Sequence, residues 1–311
     1  MTATYDHLPV LGDEVVQAFD FGRDAFVVDG TLGLGGHSEK LLRRYPRIRI
    51  LGLDWDVDAL EAARQRLDAY GDRFEAVEAS YTEIPTILSQ RGRGTVDGLL
   101  LDLGLSSRQL LDSDRGFSFL RPGPLDMRMS RALSTTAWDV LCRSSEGELA
   151  EVFRAYGEEP QARRIAHMLK ERLKKNSLPN DAWQVAEIIR RTAAYSPKRA
   201  DPATRCFQAL RIVVNQELSN LDNILTEIKG LLSPGGRAAI ISFHSLEDRR
   251  VKQAFQQAAK GCLCPPRIPQ CVCGLAPWAR LVNRKAIMAS EKERQENPRA
   301  RSARLRVLEH L

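Results

Sequence analysis

The chain has 311 residues, of which 43% are hydrophobic, so it can hold one large domain or two modest ones around a substantial core. It has no apolar run as long as a membrane span and no signal-peptide pattern in residues 1–10, which together predict a cytoplasmic location. The formal charge of +6 favours a polyanionic partner such as a nucleic acid.

The N-terminal part contains a glycine-rich loop between a predicted strand and a predicted helix. The loop is Asp29-Gly-Thr-Leu-Gly-Leu-Gly-Gly-His-Ser38, and it follows the apolar run 25–28. Glycines let the chain turn sharply and let a ligand approach the backbone, while a helix start offers N–H groups that no helical carbonyl accepts. The order strand, glycine loop, helix therefore predicts a nucleotide or nucleoside cofactor site. The alternative is a glycine-rich turn that binds no ligand.

The spacing of the glycines distinguishes between cofactor classes. A dinucleotide fingerprint that starts at Gly33 needs a glycine at position 38, where the chain has Ser38. This difference argues against a nicotinamide oxidoreductase. The pattern Asp29-x-Thr31-x-Gly33-x-Gly35 instead resembles the first motif of S-adenosylmethionine (SAM) methyltransferases, with Thr31 at the position of their usual first glycine.

Polar side chains end each of the next three predicted strands. Asp54 follows the second strand, where a carboxylate can accept both hydroxyls of a cofactor ribose. It could instead cap the next helix, although Asp56 is also placed for that role. Tyr81 follows the third strand and could stack on an adenine or pack in the core, and Asp102 ends the buried strand 96–102. Because the carboxyl ends of parallel strands meet at one edge, we expect one shared site.

From about residue 135 to residue 200 the periodicity is helical, which predicts a helical subdomain inserted into the α/β fold. Residues 160–200 contain ten Lys or Arg and three Asp or Glu. This excess of positive charge is either a solvated helix face or a surface for RNA phosphates. The candidates for phosphate contact are Arg190, Arg191, Lys198 and Arg199.

The C-terminal third returns to the α/β pattern. Residues 203–232 predict one long helix, and residues 237–243 predict a strand whose end carries Ser242 and His244. His244 is either a structural residue or a substrate contact, since the strand end directs it toward the same crevice as the acids.

Four cysteines follow as two close pairs, Cys262 with Cys264 and Cys271 with Cys273. A cytosolic setting argues against disulfides, and two close pairs could hold zinc. Because the C-x-C spacing is tighter than the usual spacing of zinc ligands, we assign no metal and expect the segment to be dispensable for chemistry. A proline-rich turn that happens to bring thiols close is the alternative.

Taken together, these segments resemble the RsmH (MraW) family of SAM-dependent methyltransferases, and the resemblance extends over nearly the whole chain. Besides the glycine loop, the matching motifs are His7-Leu-Pro-Val10, Leu101-Asp-Leu-Gly-Leu-Ser-Ser107, Arg115-Gly-Phe-Ser-Phe119, Leu125-Asp-Met-Arg128, Ala203-Thr-Arg-Cys-Phe-Gln-Ala-Leu-Arg-Ile212, Pro234-Gly-Gly236, Ser242-Phe-His-Ser-Leu-Glu-Asp-Arg249 and Asn297-Pro-Arg-Ala-Arg-Ser302. The family methylates N4 of a cytidine in the decoding centre of bacterial 16S ribosomal RNA. The resemblance therefore implies this activity, with SAM as cofactor and small-subunit RNA as partner.

The resemblance also implies an α/β fold, namely a Rossmann-like class I SAM methyltransferase sheet, mostly parallel with an antiparallel last strand, and an inserted all-helical subdomain. It places the methyltransferase core at residues 1–112 and 203–311, and the substrate-recognition insertion at residues 113–202. The implied SAM contacts are Gly35, Gly36, His37, Asp54, Tyr81, Asp102 and Gln109. The candidate substrate contacts are Ser106, Arg108, Ser242 and His244.

The chain departs from other amino-methyltransferases in the loop after the fourth strand. They carry Asp/Asn/Ser-Pro-Pro-aromatic there, whereas this chain has Asp102-Leu-Gly-Leu-Ser106. The acceptor of the N4 proton therefore stays open among Asp102, the backbone carbonyls of residues 103–106, Ser106 and His244, and we assign no catalytic residue. A noncatalytic ribosome-assembly factor is a further alternative, against which the intact glycine loop and Asp54 argue.

Overall fold

A computed structural model describes residues 8–106, 109–110, 112–193, 195, 201–262, 264, 270 and 272–311. The chain divides into two compact units. The first contains the residues up to 104 together with 219–311, and the second contains residues 105–218.

The helices and strands among the described residues are as follows. The strands are β1 (Ala25–Asp29), β2 (Ile48–Asp54), β3 (Phe74–Glu78), β4 (Val96–Asp102), β5 (Leu232–Ser242), β6 (Ala279–Leu281), β7 (Ile287–Met288) and β8 (Arg304–His310). The α-helices are α1 (Gly12–Ala18), α2 (Gly36–Arg44), α3 (Val57–Leu67), α4 (Ile84–Gln90), α5 (Ala137–Arg143), α6 (Glu146–Gly157), α7 (Ala162–Lys174), α8 (Ala182–Thr192), α9 (Pro202–Asn215), α10 (Glu217–Leu231), α11 (Ser245–Lys260) and α12 (Glu291–Glu296).

The first unit is built on one sheet with the strand order β3-β2-β1-β4-β5-β8-β6, and β7 pairs with β8. Strands β1 to β5 are parallel, whereas β8 runs antiparallel to β5. The predicted fold class, a mostly parallel sheet with an antiparallel last strand, is confirmed. The order also places the carboxyl ends of β3, β2, β1 and β4 side by side at one edge, which is where the polar strand ends were expected.

Helices cover both faces of this sheet, because neighbouring residues along each strand point to opposite sides. Val27 belongs to an apolar cluster that includes Leu41 of α2 and Leu60 of α3. Val28 belongs to the other cluster, which includes Ile224 of α10 and Phe255 of α11. Both faces of the strands are therefore buried, as their continuous apolar runs require.

The second unit is helical. Helix α9 packs against α5, α6 and α8, and α6 also packs against α7. A Cβ on Gly157 would lie only 2.6 Å from the carbonyl oxygen of Arg205, so α6 and α9 approach closely at this glycine. The unit is wider than the predicted insertion of 113–202, because it includes residues 105–112 and the whole of α9.

The segment predicted as one helix, residues 203–232, forms two helices. Gln216 adopts a left-handed conformation with φ of 52°, and this residue separates α9 from α10. The preceding Asn215 is buried, where its Oδ1 accepts the Met129 N–H at 2.7 Å and its Nδ2 donates to the Met127 carbonyl at 2.8 Å. The single-helix prediction was wrong because apolar periodicity continues across the break.

None of the helices in the described part of the chain is long and apolar enough to cross a membrane.

Candidate functional site

The glycine loop is held first by Asp29, the last residue of β1. This carboxylate is almost fully buried, and it accepts hydrogen bonds from the Thr31 N–H at 3.2 Å and the Ser38 hydroxyl at 2.7 Å. Burial raises the pKa of Asp29, while the hydrogen bonds from Ser38 and Thr31 oppose that rise. The two bonds join the start of the loop to the first turn of α2.

Thr31 provides the second attachment of the loop. Its hydroxyl oxygen accepts the backbone N–H of Asp102 at 2.6 Å, so the loop is tied to the end of β4. Beside it, a Cβ on Gly30 would lie 2.6 Å from a methyl carbon of Leu101 and 2.9 Å from Cβ of Tyr81. Position 30 therefore requires glycine, and Thr31 has a structural role that a glycine at this position could not supply.

Asp54, at the end of β2, provides the third attachment. One carboxylate oxygen accepts the Gly33 N–H at 2.8 Å, and the other accepts the Asp56 N–H at 2.9 Å. Helix α3 is capped by Asp56, whose side chain accepts the Asp58 N–H at 3.1 Å, so Asp54 is not the helix cap. Burial raises the pKa of Asp54 to about 6. Each carboxylate oxygen can accept more than one hydrogen bond, so Asp54 retains acceptor capacity.

His37 and Asp102 meet at the centre of this strand edge. His37 lies in the first turn of α2, and its Nε2 is 3.4 Å from Oδ2 of Asp102. Both ring nitrogens of His37 and Oδ1 of Asp102 are buried without a hydrogen-bond partner among the described residues. Unsatisfied buried polar atoms are costly, and their convergence is typical of a site that binds a polar ligand.

The remaining predicted cofactor contacts in this unit also lie at the same edge. Gly35 has φ of 77° and stands at the N-cap of α2, and Gly36 is the first residue of that helix. Tyr81 begins a short 3-10 turn directly after β3 and is half-buried. Six predicted contacts, from Gly35 to Asp102, are thus brought together by the parallel strand order.

Gln109 lies in the second unit, where the backbone is helical at residues 109 and 110. Its side chain is buried, its Oε1 accepts the Ser106 N–H at 3.1 Å, and its Nε2 donates to the Met129 carbonyl at 3.4 Å. The Ser106 hydroxyl in turn accepts the Gln109 N–H at 3.2 Å. The cofactor role of Gln109 and the substrate role of Ser106 stay predictions, and Arg108 lies outside the described residues.

Ser242 and His244 follow β5 in the first unit. Ser242 is buried, and its hydroxyl donates to the Arg304 carbonyl at 3.4 Å. His244 is the N-cap of α11, where its Nδ1 accepts the Glu247 N–H at 3.4 Å and its Nε2 lies 3.1 Å from a Glu247 carboxylate oxygen. This geometry supports the structural interpretation of His244, and the substrate roles of both residues stay predictions.

Sequence reasoning missed how Asp29, Thr31 and Asp54 fix the loop. Thr31 was noticed only as a departure from a motif, although its hydroxyl bonds to a strand 71 residues away. Side-chain acceptors for backbone N–H groups across such separations leave no periodic pattern in a sequence. The available signal was the presence of a hydroxyl residue where a glycine is usual.

Comparison with known proteins gives a consistent result over the full length. A model of the MraW methylase family matches residues 4–311. The chain is 47% identical to "Ribosomal RNA small subunit methyltransferase H" of Anaeromyxobacter sp. (strain K), with all of both chains covered. It is 43% identical to the protein of the same name from Geobacter sulfurreducens, with 99% of this chain and 100% of that protein covered.

Among solved structures, the chain has a distant likeness to the N-methyltransferase NodS from Bradyrhizobium japonicum. The TM-score is 0.43 and the identity 9%, over 96% of this chain and 93% of that chain.

We expect Thr31→Val to destabilise the protein by about 1–3 kcal/mol, because it keeps the shape of the side chain and leaves the Asp102 N–H without its acceptor. Thr31→Ser keeps the hydroxyl and is the matched control. Urea unfolding of the three proteins measures the difference. Equal stability of the valine and serine variants would show that this hydrogen bond does not hold the loop.

Proposed function

Because the chain belongs to the MraW methylase family, we propose that it transfers a methyl group from SAM to small-subunit ribosomal RNA, at N4 of a cytidine in the decoding centre. The observation that carries this proposal is the convergence of Asp54, His37 and Asp102 beside a glycine loop at one strand edge. The full-length similarity to proteins named as ribosomal RNA small subunit methyltransferases supports the substrate class.

The residues at the strand edge fit SAM chemically. The remaining acceptor capacity of Asp54 suits the two ribose hydroxyls of a nucleoside. The unsatisfied Oδ1 of Asp102 suits an ammonium donor, and the unsatisfied ring nitrogens of His37 suit further polar groups of the ligand. Three acidic strand ends also favour a cation, and SAM supplies an electrophilic methyl group on a positively charged sulfonium.

The protein must then position the amine and manage its proton. The N4 lone pair of cytosine is delocalised into the ring, and attack on a methyl group places positive charge on that nitrogen. A hydrogen-bond acceptor near N4–H stabilises this charge and helps to remove the proton. Oδ1 of Asp102 can serve only one of the two groups, the ammonium of SAM or the N4 amine, so we assign no residue to the N4 proton.

We assign recognition of RNA to a groove between α7 and α8 in the second unit. The groove has a volume of about 510 Å³. One wall carries Arg164, Met168 and Arg172, which are spaced four residues apart on α7. The other wall carries Trp183, Glu187 and Arg191 with the same spacing on α8. Residues four apart share a helix face, so two complete rows of side chains oppose each other.

The composition of this groove favours single-stranded RNA. Trp183 is 45% exposed and offers a flat surface on which a base can stack. The three arginines have no acidic partner among the described residues, and Nε of Arg172 is buried without a hydrogen bond there. Glu187 bonds to Arg190 at 2.8 Å, which leaves the groove strongly positive.

This assignment changes the phosphate candidates. Arg190 is half-buried and donates to Asp201 at 2.7 Å as well as to Glu187, so it serves the packing of the unit. Arg191 remains a candidate, whereas Lys198 and Arg199 lie outside the described residues. Arg190 and Arg191 are adjacent on α8 and therefore point to different sides of the helix, a difference that a count of charges does not register.

The proposed activity is tested with small ribosomal subunits from a strain that lacks this protein. We expect the purified protein and tritiated SAM to label one cytidine of the small-subunit RNA at N4. Subunits from the parent strain, which already carry the methyl group, are the control and should accept little label. Labelling of another nucleotide, or of neither substrate, would contradict the proposed target.

We expect the affinity for SAM to fall below about pH 6. Burial raises the pKa of Asp54 to about 6 in the free protein, and the charged carboxylate is the form that accepts ribose hydroxyls. Binding then requires release of a proton, so affinity should drop by up to about tenfold per pH unit on the acidic side. Calorimetric titration across this range measures the effect.

Asp54→Asn is the control for this pH profile. It should bind SAM roughly 10–100-fold more weakly at neutral pH, because hydrogen bonds to a charged group contribute about 1.5–3 kcal/mol each. Its profile should also lose the break near pH 6. If the variant keeps the parent affinity and the same change in affinity near pH 6, Asp54 does not contact the cofactor.

We expect Trp183→Leu to weaken RNA binding by about 1–3 kcal/mol, the usual contribution of one stacked base, whereas Trp183→Phe keeps the aromatic ring and most of the affinity.

Arg164→Gln should reduce the slope of log affinity against log salt by about 0.7, as for one lost phosphate contact. Arg163→Gln removes the same charge from the adjacent position, which does not line the groove, and is the matched control. SAM affinity should stay unchanged in all four variants. Equal RNA binding by the Arg163→Gln and Arg164→Gln variants would show that Arg164 belongs to a solvated helix face and contacts no phosphate.

A further inference from the structure

Three cysteine side chains converge in the loop between α11 and β6. The Sγ atoms of Cys262, Cys264 and Cys273 all lie within 4.8 Å of one another. The sulfurs of Cys262 and Cys273 are 3.8 Å apart. The two cysteines are eleven positions apart in the sequence, so the chain must turn back to bring their sulfurs together.

The sulfur separation matches a metal site rather than a disulfide. A disulfide bond is about 2.05 Å long, and 3.8 Å is nearly twice that length. In a tetrahedral zinc site with Zn–S bonds of about 2.3 Å, two sulfurs are about 3.8 Å apart. The thiols therefore already have the spacing that a single zinc ion requires.

Backbone donors are also directed at these sulfurs. The N–H of Cys264 donates to Sγ of Cys262 at 3.4 Å, and the N–H of Val272 donates to Sγ of Cys264 at 3.4 Å. These N–H groups are placed where they can also donate to a metal-bound sulfur. The tight C-x-C spacing is thus no obstacle, since it places one cysteine's amide against the other's sulfur.

The described residues of this loop include two exposed apolar side chains that do not contribute to a core. Val272 is 78% exposed and Leu275 is 48% exposed. The two ends of the loop are nevertheless pinned together, because the Trp278 N–H donates to the Ala258 carbonyl at 3.2 Å. A Cβ on Gly261 would lie 2.3 Å from the backbone of Ala276. Small segments without a core are typically stabilised by a disulfide or a metal.

We propose that Cys262, Cys264 and Cys273 bind one zinc ion as thiolates, each thiol giving up its proton when the metal binds. Three protein ligands leave one position of the tetrahedron, and the sequence has a fourth cysteine at 271, which lies outside the described residues. This assignment replaces the sequence-based expectation that the segment binds no metal.

The ion has a structural role in this proposal. Helix α11 has 16 residues and is about 24 Å long, at 1.5 Å per residue. Its first residue follows the end of β5, at the strand edge, and the cysteines follow its last residue. The metal therefore lies away from Asp54 and His37, and it holds the loop without taking part in methyl transfer.

The test is the metal content of the full-length protein, purified under reducing conditions without a chelator or a metal-affinity step. We expect about one zinc per chain by plasma mass spectrometry. Cys262→Ser and Cys273→Ser should each lower the bound zinc at least tenfold. Cys142→Ser, which removes an exposed cysteine of the second unit, is the matched control and should keep the full amount.

Two further measurements keep the proposal falsifiable. SAM affinity should be unchanged in the cysteine variants, which shows that they fold and that the metal is not part of the cofactor site. Cobalt(II) added to metal-free protein should give the visible absorption of a tetrahedral thiolate site, and it should fail to do so in Cys262→Ser. A parent protein that contains no zinc and takes up neither zinc nor cobalt would overturn the proposal, as would a disulfide between Cys262 and Cys273 found by mass spectrometry.

Discussion

The candidate site depends on hydrogen bonds that hold one glycine loop from three neighbouring strands. Asp29 of β1 binds the Thr31 N–H and the Ser38 hydroxyl, Asp54 of β2 binds the Gly33 N–H, and the Thr31 hydroxyl binds the N–H at the end of β4. A loop rich in glycine has high conformational entropy when unfolded, so it needs such attachments to present a fixed surface. The same loop leads into α2, which carries His37, and its bond to the Asp102 N–H holds the start of that helix beside the end of β4.

The three aspartates at this strand edge differ in how deeply they are buried and in how many hydrogen bonds their oxygens already accept. Asp29 is almost fully buried, and each of its oxygens is engaged within the loop, so its role is to hold the chain. Asp54 is also bonded to the backbone but remains partly exposed, and burial raises its pKa to about 6. Asp102 keeps an oxygen without a partner among the described residues. Carboxylates that look equivalent in the sequence therefore differ in function, because the fold gives each a different set of donors.

The cationic side chains of the second unit also fall into two groups, those that pair with acidic residues and those that line the groove. Arg190 is taken up by Asp201 and Glu187, and Lys174 by Glu171, so these cations serve the packing of the helices or the solvated surface. Arg164, Arg172 and Arg191 line the groove with Trp183 instead. A count of charges in residues 160–200 favours a polyanionic partner, but only the rows of side chains on α7 and α8 define the groove that we propose for RNA.

Much of the first unit follows from local sequence. The apolar runs of β1, β2 and β4, the polar residue after each strand, and the glycine loop predict a parallel sheet with a ligand site at one edge, because strands and helices have distinct periodicities and parallel strands align their ends. The contacts between residues far apart in the sequence, and the break between α9 and α10, were decided by the tertiary structure. The partner of Thr31 lies 71 residues away, Asn215 and Gln216 interrupt an unbroken apolar pattern, and the sulfurs of Cys262 and Cys273 meet across a loop. These features depend on which segments pack together in three dimensions, and periodicity along the chain carries no information about such pairings.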